Sequence, residues 1–174
     1  MGSSLINIFN TKEKILSQLE INRTPTEIDL DAYNKILELS TYSMEVCKPK
    51  TKKNKDGTTR SSNHHIQARF RKVGEDIEQN IFSIGAMTLE ANELYIGKNL
   101  NKADRLENYN ERIRLQTKAI AKTYYIEHCI RVLHKHRPFA DSTLNWWTHL
   151  LVEARRSLIA WKNSDVRGRK GCEL

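Results

Sequence analysis

Residues 141–163, DSTLNWWTHLLVEARRSLIAWKN, decide the fold. Leu144, Trp147, Leu151, Ala154, Leu158 and Trp161 recur in alternating steps of three and four, one continuous stripe along an amphipathic helix. Asp141 or Ser142 can cap its first amides, Arg137-Pro138 stops whatever helix precedes it, and no proline or glycine interrupts it. Two tryptophans on one stripe carry more apolar area than a single helix can hide, so other helices must lie against it. The opposite side holds Glu153, Arg155, Arg156 and Lys162, and the chain then runs into Val166-Arg167-Gly168-Arg169-Lys170. The helix is expected to pack inward and to present positive charge outward.

The preceding segment predicts another helix over about 104–137, with Leu106, Tyr109, Ile113, Ile120, Tyr124, Ile130 and Leu133 inward and Arg114, Lys118 and Lys122 stacked outside at steps of four. Before it, Asn63 caps a helix whose stripe of Ile66, Phe70, Val73, Ile77, Ile81, Ile84, Thr88, Ala91 and Tyr95 predicts a long element. Gly74 and Gly85 inside it mark either close approach of a neighbour or simple tolerance, and Gly97 fits the left-handed residue that closes a helix. The first helix is expected to start at Thr24-Pro25-Thr26-Glu27, a capping box with proline at the first helical position. It runs to about Lys48 with Leu30, Tyr33, Leu37, Met44 and Cys47 on one face, and Pro49 ends it.

Two long central helices, a shorter one before them and the tryptophan-rich one after them predict an all-α, antiparallel up-down four-helix bundle. The division is an N-terminal arm at 1–23, whose short apolar face is Ile15, Leu16 and Leu19, a bundle at 24–165, and a basic tail at 166–174.

Residues 48–63, KPKTKKNKDGTTRSSN, are of another kind: six Lys and Arg, one acid and almost nothing apolar. Asp56-Gly57 can close a hairpin, but the flanks lack alternating apolar residues, so a positive loop tip is preferred. Over the whole chain 29 Lys and Arg face 21 Asp and Glu, a net charge of +8, which points to a polyanionic partner, nucleic acid first and an anionic membrane surface or acidic protein second. Against this stands the ordinary reading that charged rows only solvate helices. Exposed aromatics among the charges would argue for single-strand stacking, but most tyrosines and tryptophans fall on core stripes. Trp146, one step off the stripe, either flanks a wide core or meets a partner.

No run of apolar residues approaches a membrane span and MGSSLINIF lacks a signal-peptide pattern, so a cytoplasmic protein is expected. Cys47, Cys129 and Cys172 form neither a disulfide framework nor a zinc pattern, and His64-His65 and His134-His136 lack partners at ligand spacing; no metal or cofactor is expected. Candidates for catalysis are few. Arg131 and His136 resemble the short motif of the HEPN ribonucleases, where the histidine would move the ribose proton and the arginine would steady the phosphate. Val132 stands where that motif has a polar residue, and basic residues at a helix C-terminus are favourable for the dipole alone.

The stretch RLENYNERIRLQTKAIAKTYYIEHCIRVLHKH, followed by LLVEARRSLIAWKNS with Glu153, Arg156, Leu158 and Trp161, resembles the accessory variability determinant (Avd) proteins of diversity-generating retroelements and related four-helix proteins of ribosomal RNA intervening sequences. The helix containing SIGAMTLEANELY is similar in pattern, and the likeness covers roughly residues 27–168, departing at the arm before Thr24 and the loop after Lys48. The resemblance implies a protein without enzymatic activity, assembled as a barrel-shaped homopentamer, that binds nucleic acid and a reverse transcriptase copying template RNA into mutagenised cDNA. It implies that Arg114, Lys118, Lys122, Arg155, Arg156, Arg167 and Arg169 bind RNA or an acidic patch of the polymerase, or line the barrel. Together with Lys50, Lys52, Lys53, Lys55, Arg60 and Lys162, these are the expected binding residues. A HEPN-like ribonuclease and a structural bundle of some other assembly are the alternatives.

Overall fold

The computed structural model of the protein describes residues 30–47, 52–53, 59–60, 64–136 and 139–173. The arm, the capping box at 24–27, the Asn63 cap, Arg137-Pro138 and the loop residues Lys50 and Lys55 lie outside the described residues. Four helices hold most of the rest: α1 Asp31–Cys47, α2 His64–Glu93, α3 Lys102–His136 and α4 Asp141–Glu173. Each packs on its neighbours in sequence, and α1 also packs on α4, so the helices close a ring around one core.

Contacts fix the sense of each pair. Trp147 near the start of α4 meets Ser43 near the end of α1, and Ser157 meets Asp31 at its start. Arg112 early in α3 meets Asp165 late in α4, while Arg155 meets Thr123 and Glu127. Lys122 and Tyr125 meet Asn80 and Asp76 on α2, with the higher number on α3 opposite the lower on α2.

Trp147 is wholly buried at the centre, with Leu39, Ile77, Ile81, Ile84, Ile126, Ile130, Leu151 and Leu158. Its indole Nε1 donates to Ser43 Oγ at 2.8 Å, and that hydroxyl donates onward to the Leu39 carbonyl at 2.7 Å, so the one polar edge of a large ring is satisfied inside the core. Leu151, Ala154 and Leu158 are buried and Leu144 and Trp161 pack half-buried beside them, which is the α4 stripe as read from sequence.

The helix does not end near residue 163. It continues to Glu173 because Asp165 is buried against α3 and Gly168 lies under Tyr109, whose Cζ would be 2.8 Å from a Cβ at that position. At its start, Asp141 sits inside the first turn, and the Ala140 carbonyl accepts the Thr143 and Leu144 amides at 2.9 and 3.1 Å. α3 begins on a reciprocal cap, since Asn101 Oδ1 accepts the Asp104 amide at 2.9 Å and Asn101 Nδ2 donates to Asp104 Oδ2 at 2.6 Å.

Four expectations need correction. Leu37 and Met44 of α1 are 55% and 44% exposed, and the buried stripe is Ala32, Ile36, Leu39, Ser40 and Ser43, of which Ser43 meets the Trp147 indole. Tyr124 is 54% exposed, because α3 turns Arg112, Leu115, Gln116, Ala119, Thr123 and Ile126 to the core, and Tyr95, past the end of α2, is 56% exposed. α2 ends at Glu93, and Gly97 is not left-handed; a side chain there would collide with the Tyr95 ring. Between α1 and α2 a two-stranded antiparallel ladder forms, β1 Lys52–Lys53 with β2 Thr59–Arg60, since backbone hydrogen bonds need no apolar face. Gly74 is a point of close approach: a Cβ there would stand 3.3 Å from Cys47 Sγ.

Candidate nucleic-acid interface

The ladder register sets Lys52 opposite Arg60 and Lys53 opposite Thr59. Like charges directly opposite each other in an antiparallel pair are unfavourable. The register gathers three of the expected loop residues at one place in the backbone.

On α3 the expected outer row divides. Arg114 and Lys118 are exposed; Arg114 Nε donates to Glu111 Oε2 at 2.6 Å, and this hydrogen bond holds the Glu111 carboxyl below its usual range. Lys122 is half-buried and donates to Asn80 Oδ1 at 2.8 Å, in the seam with α2 rather than outside.

On α4, Arg156 is exposed and pairs with Glu153 at 2.7 Å, Arg167 is exposed, and Lys162 is half-buried. Arg169 reaches Asn110 Oδ1 at 3.3 Å and Glu173 at 3.5 Å. Arg155 is not an outward residue. Its side chain is 12% exposed, Nε donates to Thr123 Oγ1 at 2.8 Å, and Nη2 donates to the Thr123 carbonyl at 3.2 Å and Glu127 Oε2 at 2.7 Å. Its guanidinium also stacks 3.9 Å from the centroid of the Tyr124 ring. Thr123 is wholly buried in the α3–α4 seam, so a long side chain at 155 follows it inward.

Glu127 takes a second arginine, Arg131, at 2.7 Å. Hydrogen bonds first from Arg155 and then from Arg131 hold its carboxyl below the ordinary range. The arginine of the ribonuclease-like pair is thus engaged with a carboxylate, and His136 is exposed at the end of α3.

Sequence reasoning missed the aromatics of this surface. Tyr124 and Tyr125 are 54% and 47% exposed on successive α3 positions. Tyr125 Oη donates to Asp76 Oδ2 at 2.6 Å, a bond that raises the phenol's pKa and fixes the ring beside an open cleft lined by Asp76, Asn80, Ala121 and Lys122. The signal that could have found them was phase: with Thr123 and Ile126 inside, both tyrosines must turn out.

Nothing in the sequence warned of a buried polar knot. Asp165 Oδ2 accepts from Arg112 Nε at 3.0 Å and Gln116 Nε2 at 2.6 Å, Asp165 Oδ1 accepts from Arg112 Nη2 at 3.3 Å, and Arg112 Nη1 donates to the Leu94 carbonyl at 3.1 Å. The guanidinium lies 5.2 Å from the Trp161 ring centre. This arginine spends its donors within the fold and offers none to a ligand.

Among the described residues no group of three or more His, Cys, Asp and Glu is placed to hold a metal ion, and no helix is long and apolar enough to cross a membrane. Comparison with protein families, with curated proteins and with solved structures finds no match for this chain.

Proposed function

We propose that this chain is a non-enzymatic nucleic-acid-binding scaffold, an antiparallel up-down bundle that holds template RNA for a reverse transcriptase in the manner of the retroelement accessory proteins it resembles. One observation carries the reading. From Arg112 to His136, α3 bears six Lys and Arg and a single acid, Glu127, and that acid is held by two arginines. On the exposed side of this stretch Arg114 and Arg131 are paired with Glu111 and Glu127, while Lys118 and Lys135 have no ion pair among the described residues, so the face keeps a net positive charge.

The lysine-rich ribbon of β1 and β2 supplies a second basic element, as expected of a surface that follows a phosphate backbone without reading bases. A homopentamer in the cytoplasm, with the polymerase as protein partner, completes the proposal. The test is binding of a labelled structured RNA across a salt titration, with mass determined in the same buffer. Binding that weakens steeply with salt, by an oligomer that leaves the RNA intact and captures the reverse transcriptase, is the expected result. Cleavage of the RNA, or no binding at low salt, refutes it.

A further inference from the structure

Charge alone does not say which form of nucleic acid the α3 surface suits. Between Arg114 and Lys135 its exposed cations are Arg114, Lys118, Arg131 and Lys135, and the exposed rings of Tyr124 and Tyr125 stand at the middle of that run. Phosphates spaced along a flexible strand can meet the cations while the bases between them meet the rings; a duplex keeps its base faces stacked inside and cannot use an aromatic platform.

Both rings are held before any ligand arrives. Arg155 covers one face of Tyr124 at 3.9 Å and is itself locked by Thr123 and Glu127, so the ring is oriented from beneath while about half of the residue stays open to solvent. Tyr125 is pinned through its hydroxyl to Asp76. Rings already fixed lose little rotamer freedom when a base stacks on them, which lowers the cost of binding. Ala121, one turn before Tyr125, keeps the ground between the rings low, and the cleft beside Tyr125 offers Asn80 and Lys122 as polar edges. Tyr125 also has the Asp76 carboxylate near it, which disfavours phosphate at that ring and leaves the phosphate positions to the Lys118 and Arg131 ends of the face.

We infer that the outer face of α3 is a binding site for single-stranded nucleic acid, in which Tyr124 and Tyr125 stack bases and the flanking Lys118, Arg131 and Lys135 hold phosphates. The inference rests on the nucleic-acid reading above and adds the strand form and the residues that select it.

The experiment measures binding of a short mixed-sequence single-stranded RNA and of the duplex of the same sequence, by fluorescence anisotropy at fixed salt. The proteins are wild type, Tyr124→Leu, Tyr125→Leu, Tyr124→Phe and Tyr125→Phe, each full length. Both tyrosines are about half exposed, so the variants should fold, which circular dichroism checks. Each leucine substitution is expected to weaken single-strand binding by roughly 5- to 150-fold, the span for loss of a stacking aromatic, while duplex binding changes little, Tyr124→Phe keeps affinity, and Tyr125→Phe, which keeps the ring but loses the Asp76 hydrogen bond, keeps most of it. Undiminished single-strand binding by the leucine variants, still salt-sensitive, overturns the stacking site and leaves the scaffold reading standing. Equal losses on single strand and duplex overturn the strand preference. Absence of binding to both probes at low salt overturns the inference and the scaffold reading together.

Discussion

Removing the Asp165 carboxylate should be the most damaging polar substitution in the bundle. Arg112 and Asp165 expose only 9% and 6% of their side chains, and Asp165 accepts three hydrogen bonds, two from Arg112 and one from Gln116. In Asp165→Ala the guanidinium remains charged, buried and without its counter-ion, a situation that costs about 3–5 kcal/mol. The Leu94 carbonyl at 3.1 Å and the Trp161 face at 5.2 Å still receive part of the charge, which places the expected loss near the lower end, about 3 kcal/mol.

Urea unfolding followed by circular dichroism reads this directly: with a slope of about 2–3 kcal/mol per molar, the midpoint should fall by about 1 M or more. Arg112→Met should lose a comparable amount, whereas the double variant Arg112→Met/Asp165→Leu should lose less than the sum of the two, because it leaves no unpaired charge, although the buried Gln116 amide and the Leu94 carbonyl lose their partners. Single losses below about 1 kcal/mol, or losses that simply add in the double variant, would refute the idea that this pair forms one buried unit. The same result would leave the helical course of residues 166–173 without its main anchor, since Asp165 is what fastens the last turns of α4 to α3.

Three further outcomes follow from single groups. Glu127 has its carboxyl pKa lowered by Arg155 and Arg131, so its contribution to stability is present above the ordinary value of 4.5 and is lost as pH falls below it; Glu127→Gln should lower stability at neutral pH and flatten the acid side of a stability-versus-pH curve. Burial, and then the nearby Glu78 carboxylate, push the Cys47 thiol up to about 12, so maleimide at pH 8 should leave Cys47 unmodified in the folded protein and label it only after denaturation, as read by peptide mass. Trp147 is wholly buried and Trp146 is 48% exposed; iodide should quench the fluorescence that Trp146→Phe removes and spare that of Trp147, and equal quenching of both would contradict the packing of α4.

The sequence is most legible where apolar residues are dense. α2 and α4 present Ile77, Ile81, Ile84, Trp147, Leu151 and Leu158 at helical spacing, and no other phase of those helices could bury as much area. α1 is misread because bulk is a poor guide to burial: Ala32, Ser40 and Ser43 go inside, Ser43 as the partner of the Trp147 indole, and Leu37 and Met44 are turned out. In α3 the buried side includes Arg112, Gln116 and Thr123, polar residues whose partners Asp165 and Arg155 lie on another helix, so hydrophobic periodicity places Ile130 and Leu133 inside correctly but hides Tyr124 in an imagined core. Pairing across helices is a property of the fold, and no local pattern within α3 announces it.

That same cross-helix pairing changes what the net charge of +8 means. Counted along the chain, Arg155 looks like a surface cation; in the fold it is bound to Thr123 and Glu127 and supports a tyrosine ring. Arg114, Arg131 and Arg156 each have a carboxylate at hydrogen-bonding distance, which a phosphate must displace or share. Each phosphate held by a fully available cation releases counterions and steepens the salt dependence by about 0.7 for a single strand, whereas an arginine already neutralised contributes less. The slope should therefore be set by residues such as Lys118 and Arg167 and by the ribbon between α1 and α2, and should fall well short of one phosphate per basic residue. Affinity beyond that slope has to come from a contact that salt does not screen, and on α3 the exposed candidates are the two tyrosines that arginine and aspartate hold in place.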